Sequence, residues 1–163
     1  MRLRSYSVLR AAGFIALYFF ALPGAFVLLN DRLGWPRWQN SVFDAVGTVL
    51  IVSGVGVCLY CTWLFWRLGR GTPVPIQPPD RLVVSGLFRF SRHPMYVAYV
   101  AIGIGVFLVE GHLALLLYPL ALFLLAQLYL VKLEEPRLVE RFGDEYKDYC
   151  RRVPRWPRPR SAV

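Results

Sequence analysis

The chain has 163 residues, of which 56% are hydrophobic and 15% aromatic, and it carries a formal net charge of +9. Its apolar residues occur in runs of about twenty, which excludes an ordinary soluble domain of this size. The positive charge alone would be compatible with nucleic-acid binding. The distribution of the basic residues is better explained by membrane topology and by anionic lipid headgroups, so we expect a lipid bilayer and no nucleic acid as partner.

The apolar runs predict an all-α integral membrane bundle of four transmembrane helices, in a single domain that covers residues 1–163. Each run can cross about 30 Å of hydrocarbon at about 1.5 Å per residue, although the third is the shortest. Three arginines precede the first run, as in a signal peptide, but that run has no clear cleavage site and three more spans follow. The predicted helices cover residues 11–29, 42–66, 94–109 and 113–131.

The basic residues predict the orientation of this bundle. Of the 19 lysines and arginines, 17 lie before the first helix, in the central loop (residues 67–93) or in the tail (residues 132–163). Basic residues are enriched on the cytoplasmic side, so we expect a multi-pass protein with both termini in the cytoplasm. The central loop is rich in glycine and proline but also carries an apolar patch, which favours an ordered loop over a solvated linker.

The tail has the pattern of a short amphipathic helix. Pro136 suits a first helical turn, and Leu138, Phe142, Tyr146 and Tyr149 then recur at helical spacing. The Gly143-Asp144 pair is expected to interrupt this helix. The chain has one Cys-x-x-Cys motif, but it lies within the second apolar run and has no second pair to complete a zinc site, so we expect packing cysteines and no metal.

Two polar clusters lie at the ends of consecutive apolar runs. Arg92 and His93 precede Pro94 at the start of the third helix, and Glu134 and Glu135 follow the fourth. Both clusters fall on the same predicted side of the membrane. A helix N-terminus with nearby arginines suits an anionic group, and glutamates suit hydroxyls or an ammonium group. A ligand site and a set of separate interfacial anchors both remain open at this point.

Three motifs resemble those of one enzyme superfamily. They are Gly71-Thr-Pro73, the segment from Val84 to Tyr96 that contains Arg-His-Pro-Met-Tyr, and the Glu-Glu-x-x-Leu-x-x-x-Phe-Gly-x-x-Tyr-x-x-Tyr pattern that starts at Glu134 and is followed by Val-Pro-Arg155. In this order, across a helical hairpin, they resemble the isoprenylcysteine carboxyl methyltransferase and phospholipid methyltransferase superfamily. The resemblance covers roughly residues 45 to 157.

The resemblance implies an S-adenosylmethionine-dependent methyltransferase that acts on a lipophilic carboxylate, amine or thiol at the cytoplasmic face and releases S-adenosylhomocysteine. By motif, Arg92, His93 and Glu135 are the candidate catalytic residues, and Arg155 is a weaker candidate of the site. The implied cofactor-binding residues are Arg89, Arg92, His93, Pro94, Tyr96, Glu134, Glu135, Phe142, Tyr146 and Tyr149.

The sequence departs from the superfamily pattern in two ways. Ala98 stands where the superfamily often has glycine, a small change that should still pack. The chain lacks the additional membrane helices of the eukaryotic carboxyl methyltransferases, which puts a prenylcysteine substrate in doubt. Two other functions are kept as alternatives. One is a membrane reductase of sterol-reductase-like architecture, against which stands the lack of a glycine-rich dinucleotide motif. The other is a non-enzymatic scaffold or lipid-binding protein.

Overall fold

The structure is a computed structural model that describes residue 13 and residues 16–69 and 79–157. Over these residues the chain is helical, which confirms the all-α fold class, and the only pairing of strand type is an isolated bridge between Arg37 and His112. The helices are α1 (Leu22–Leu33), α2 (Ser41–Leu64), α3 (Pro94–Glu110), α4 (Leu117–Tyr129) and α5 (Glu135–Arg152).

Short irregular turns extend these helices. A π-helical turn, Leu17–Ala21, precedes α1, and a second, Phe65–Gly69, follows α2. Short 3₁₀ turns lie at Gly86–Arg89 in the central loop and at Leu113–Leu116 before α4. The first predicted helix begins among residues that the structure does not describe. The other three predicted helices agree with the observed ones to within a few residues at their starts.

Two helical segments are long and apolar enough to cross a membrane, namely Ser41–Gly69 and Leu113–Arg152. Helix α3 is apolar but has only 17 residues. These segments, judged by length and composition, indicate membrane insertion of the described part of the chain. The predicted number of four spans and the cytoplasmic position of both termini stay predictions.

The predicted boundary between the fourth helix and the tail is not a break in the helix. A π-helical turn, Leu130–Glu134, joins α4 directly to α5. Pro136 has no N–H and cannot donate to the carbonyl one turn earlier, which explains a widened turn at this place. The apolar part of the segment ends near Val131, and α5 is strongly polar, so Glu134 and Glu135 lie beyond the apolar part of α4.

Helices α2 and α3 approach each other closely along a line of small residues. A Cβ atom on Gly47 would lie 2.7 Å from the carbonyl oxygen of Gly105, and a Cβ on Gly105 would lie 2.6 Å from the carbonyl oxygen of Gly47. Gly54 packs in the same way against Ile102, whereas a Cβ on Gly56 would meet no atom within 4 Å. Three of these glycines, Gly47, Gly54 and Gly105, therefore allow the close approach of α2 and α3.

The described part of the central loop packs back onto α2. Val83 and Phe88 are buried and form one apolar cluster with Cys61 and Leu64 of α2. The apolar residues of the loop thus pack against α2, which accounts for the apolar patch in the sequence of the loop. The glycine- and proline-rich residues 70–78, the arginines before residue 11 and residues 158–163, on which parts of the predicted topology depend, lie outside the described residues.

Candidate functional site

The two polar clusters of the sequence meet in space. The central loop brings Arg92 and His93 to the start of α3, where Pro94 occupies the first helical position as predicted. The π-helical turn between α4 and α5 brings Glu134 and Glu135 to the same place. With Arg155 from the end of the described chain, these side chains form a charged cluster, a name used below for Arg92, His93, Glu134, Glu135 and Arg155.

Glu135 is the centre of the charged cluster. Its Oε1 accepts from Nε of Arg155 at 2.8 Å and lies 3.2 Å from Nη1 of Arg92, and its Oε2 accepts from Nη2 of Arg155 at 2.5 Å. Nε2 of His93 is 3.3 Å from Oε1. The side chain of Glu135 is only 14% exposed. One largely buried carboxylate therefore contacts three cationic side chains from two separate parts of the chain.

Glu134 forms the second half of the site and is less enclosed. Its Oε2 accepts from the hydroxyl of Tyr96 at 2.6 Å, and its Oε1 lies 3.5 Å from Nδ1 of His93. The buried ring of His93 thus has a carboxylate on each nitrogen. The side chain of Glu134 is 30% exposed, so this carboxylate is the more accessible of the two to a ligand.

The charges of the cluster set the pKa values of its members. Burial alone would lower the pKa of His93, but hydrogen bonds to Glu134 and Glu135 and their negative charges raise it above its ordinary 6.5. Burial would raise the pKa of Glu135, but hydrogen bonds from His93 and Arg155 and the charges of Arg92 and Arg155 lower it from 4.5 to about 2. The contacts with the two glutamates therefore favour the protonated form of His93 over the neutral form.

These shifts predict how stability depends on pH. The interactions that lower the pKa of Glu135 stabilise the fold above pH 4.5, and this stabilisation is lost as the pH falls toward 2. The interactions that raise the pKa of His93 stabilise the fold fully below pH 6.5, and this stabilisation is lost as the pH rises through the raised pKa. We expect the thermal midpoint in detergent to be highest between pH 4.5 and pH 6.5, measured by scanning fluorimetry from about pH 3 to about pH 9.

His93→Asn provides the control for this pH profile. The variant has no imidazole to titrate, so the alkaline decrease of the thermal midpoint should become smaller while the acid decrease remains. An alkaline decrease of unchanged size in His93→Asn would contradict the assignment of that part of the profile to His93.

Residues 153–157, called the strap below, run from the end of α5 back over the charged cluster. The backbone N–H of Arg92 donates to the carbonyl of Pro154 at 3.0 Å, and the hydroxyl of Ser91 donates to the carbonyl of Arg155 at 2.7 Å. Farther along, Nε1 of Trp156 donates to Oε1 of Gln127 on α4 at 3.1 Å. The strap is therefore anchored to the loop, to Glu135 and to α4.

The predicted aromatic residues of the tail lie beside the cluster. Tyr146 and Tyr149 are buried together with Val153, and the hydroxyl of Tyr149 donates to the carbonyl of Phe88 at 2.6 Å. Phe142 packs against the same group and is only partly buried. Gly143 interrupts α5 with φ 56° and ψ −127°, as its position in the sequence predicts, and so allows the two halves of α5 to take different directions.

Arg89 lies apart from the charged cluster: over the described residues, no hydrogen bond or ion pair joins Arg89 to it. It is exposed at the end of the 3₁₀ turn Gly86–Arg89 and lines a groove beside α2. Pro94 and Tyr96 occupy the first turn of α3, Pro94 as a helix starter and Tyr96 as a donor to Glu134. The other predicted site residues lie in or beside the charged cluster.

The structure also adds residues to the site. Sγ of Cys150 accepts a hydrogen bond from Nη1 of Arg92 at 2.7 Å, and Oγ of Ser91 accepts one from the backbone N–H of His93 at 3.2 Å. Cys150 stands four residues after Tyr146, and this helical spacing could have placed it on the same face. No sequence signal pointed to the Trp156–Gln127 bond. Over the described residues, no group of three or more His, Cys, Asp or Glu side chains could hold a metal ion.

Comparison with known proteins gives one match. The family model described as phospholipid methyltransferase matches residues 42–145, well over half of the chain. This range includes α2, α3, α4 and every residue of the charged cluster except Arg155. No curated protein and no solved structure matches the chain.

Proposed function

The chain belongs to the phospholipid methyltransferase family, within the membrane methyltransferase superfamily that its motifs resemble, and on that premise we propose that it transfers a methyl group from S-adenosylmethionine to a lipophilic acceptor at the cytoplasmic membrane surface. The observation that carries this proposal is the convergence of the loop, α3, the α4–α5 junction and the strap on Glu135. Methyltransferase activity follows from the family, whereas the cofactor, its site and the acceptor are the proposed parts.

The residues of the cluster fit the chemical groups of this cofactor. Arg92 and Arg155 suit its carboxylate, and Glu134 suits its ammonium group or ribose hydroxyls. The ring of Phe142 is partly buried, with the guanidinium of Arg141 over it at 5.7 Å from the ring centroid, and it suits contact with the adenine. Nε of Arg92 is buried without a hydrogen-bond partner over the described residues, so a donor is present for an added acceptor.

S-adenosylmethionine, when bound, supplies a methyl group made reactive by a neighbouring sulfonium. The chain's own contribution is then position and the exclusion of water, because displacement at a methyl carbon requires little covalent help. The strap supports this role, since it covers the cluster and is fixed by bonds to Ser91, Arg92 and Glu135.

Proton transfer is required only for some acceptors. A carboxylate acceptor needs no base, whereas an amine or a thiol must lose a proton. His93 has a carboxylate at each ring nitrogen and a raised pKa. These features favour a role in which His93 donates hydrogen bonds and positions both glutamates, and they disfavour a role as general base. Glu134 has the more exposed carboxylate, so we assign any proton acceptance to Glu134.

The proposed topology is a four-span bundle with the cluster at the cytoplasmic surface. The cluster lies at the end of the bundle that receives the basic central loop and the basic tail. At the opposite end, the α3–α4 connection holds Glu110 and His112 and no lysine or arginine. The positive-inside rule therefore supports the placement of the cofactor site in the cytoplasm.

Calorimetry with S-adenosylhomocysteine tests the proposed cofactor on the purified full chain in detergent. Wild type is expected to bind, and Arg92→Gln is expected to bind at least about tenfold more weakly, because a charge-assisted hydrogen bond is lost. Arg151→Gln removes the same charge at an exposed position in α5 and should bind like wild type. Well-folded wild type that binds NADPH and not S-adenosylhomocysteine would instead support the reductase alternative. Tritiated methyl transfer into a native lipid extract would then identify the acceptor.

A further inference from the structure

A groove runs along the apolar face between α2 and α3, beneath the central loop. It consists of two adjoining cavities of about 580 Å³ and about 230 Å³, which share Ser53, Val57, Leu87 and Phe90 in their walls. The larger cavity falls within the range of about 300–1,000 Å³ that is usual for small-molecule sites. The groove is distinct from the charged cluster, whose side chains do not line it.

The walls of this groove suit a hydrocarbon chain. Gly56 leaves room along α2, and Val97, Ala98 and Ala101 form the side along α3. A Cβ atom on Gly56 would meet no atom within 4 Å, so the glycine at that position widens the groove and is not needed for helix packing. Phe90 is 58% exposed where the two cavities meet. Such a surface within a membrane protein favours an acyl or prenyl chain as its occupant.

Over the described residues, Arg89 is the charged residue in the lining of this apolar groove. Arg89 is exposed, and no acidic residue lines either cavity over the described residues. Arg92, three residues later, has its guanidinium beside Glu135, whereas the described residues show no such carboxylate beside Arg89. Over the part of the chain that the structure describes, the charge that the groove offers is therefore positive, and its complement is an anionic group at the head of the chain.

The inner end of the groove borders the charged cluster. The smaller cavity is lined by Ser91, Pro94 and Pro157 of the strap. The hydroxyl of Ser91 contacts both the backbone N–H of His93 and the carbonyl of Arg155. A chain that lies in the groove therefore meets Arg89 in the larger cavity and Ser91 and Pro94, which adjoin the cluster in sequence, in the smaller one.

From these observations we infer that Arg89 selects the methyl acceptor. The acceptor is an amphiphile whose chain lies in the α2–α3 groove and whose headgroup carries an anionic oxygen group beside the reacting atom. This inference rests on the proposed function and assigns Arg89 to the acceptor side of the site, where the sequence had placed it with the cofactor. A phosphodiester and a carboxylate share the required chemistry.

Photolabelling in nanodiscs of phosphatidylcholine tests this assignment on the full chain. Three single-chain diazirine probes of equal chain length differ only in the head: lysophosphatidic acid, a fatty acid and a neutral monoacylglycerol. Mass spectrometry then maps the labelled residues. At least one anionic probe is expected to label α2 and α3 along the groove more strongly than the neutral probe. Comparison of the two anionic probes then shows whether phosphate or carboxylate is preferred.

Variants of two arginines in the same loop separate Arg89 from the general attraction of a basic surface. Arg89→Gln should lower labelling by the preferred anionic probe roughly three- to tenfold, toward the level of the neutral probe, and Arg89→Lys should retain most of it. Arg81→Gln removes an exposed charge that does not line the groove and should leave labelling unchanged. Equal labelling by all three probes, or equal losses in Arg89→Gln and Arg81→Gln, would overturn the inference.

S-adenosylhomocysteine binding, measured on the same preparations, separates this inference from the proposed function. Arg89→Gln should bind it like wild type, because Arg89 does not contact the charged cluster. Wild type that binds S-adenosylhomocysteine but shows no anionic preference in the groove would refute the role of Arg89 and leave the methyltransferase intact. A loss of S-adenosylhomocysteine binding in Arg89→Gln would return Arg89 to the cofactor side and also refute the inference.

Discussion

Glu135→Ala is expected to lower the free energy of unfolding by about 3 kcal/mol and to abolish binding of S-adenosylhomocysteine. The substitution leaves Arg92, His93 and Arg155 close together without the carboxylate that neutralises them. Removal of one partner from a buried ion pair costs about 3–5 kcal/mol, and the partial exposure of Arg155 places this case at the lower end of that range. Chemical denaturation and calorimetry in the same detergent measure the two effects.

Two further variants identify the cause of the loss. Glu140→Ala removes the same charge from an exposed position one and a half turns farther along α5 and should change neither quantity. Glu135→Gln keeps an acceptor for Arg155 and should lose less stability than Glu135→Ala. The central position of Glu135 would be wrong if Glu135→Ala unfolded at the same denaturant concentration as Glu140→Ala.

Gly105→Ala is expected to destabilise the bundle by about 1–3 kcal/mol and to reduce methyl transfer, although alanine is the better helix former. The added Cβ would lie 2.6 Å from the carbonyl oxygen of Gly47 and 2.7 Å from Cγ1 of Ile51. The first of these atoms is backbone and can give way only if α2 and α3 move apart. That movement would widen the groove and shift His93 at the start of α3.

Gly56→Ala is the matched control for this prediction. It adds the same methyl group to α2 at a position where no atom lies within 4 Å, so stability should stay the same or rise by up to about 1 kcal/mol. Thermal unfolding in one detergent compares the two variants. If Gly105→Ala were as stable as Gly56→Ala, then the close approach of α2 and α3 would contribute nothing measurable to the fold.

Much of the helical framework could be predicted because long apolar runs and proline positions are local signals. Pro94 marks the start of α3, and Gly143 marks the interruption of α5, as their backbone requirements dictate. The continuity of α4 and α5 was not predicted. A proline usually indicates the start of a helix, but a π-helical turn can accommodate one inside a longer helix, and the sequence alone does not distinguish these cases.

The site was predictable in part for a similar reason. Arg92, His93, Glu134 and Glu135 lie at helix ends that the topology places on one side, so their meeting follows from the order of the helices. The path of the strap does not follow from any periodicity, because contacts distant in sequence determine it, such as that of Ser91 with the carbonyl of Arg155. Arg155 was a weak candidate for this reason, although it makes the shortest contacts to Glu135.

The strap has a consequence for the order of events during synthesis. Arg155 leaves the ribosome after Glu135 and after all the helices to which the strap is anchored. Until then Glu135 has His93 and Arg92 but lacks its bidentate partner, and the cluster has no cover. The ion pairs of Glu135 are therefore completed only after Arg155 has been synthesised, and the proposed cofactor site stays uncovered until that point.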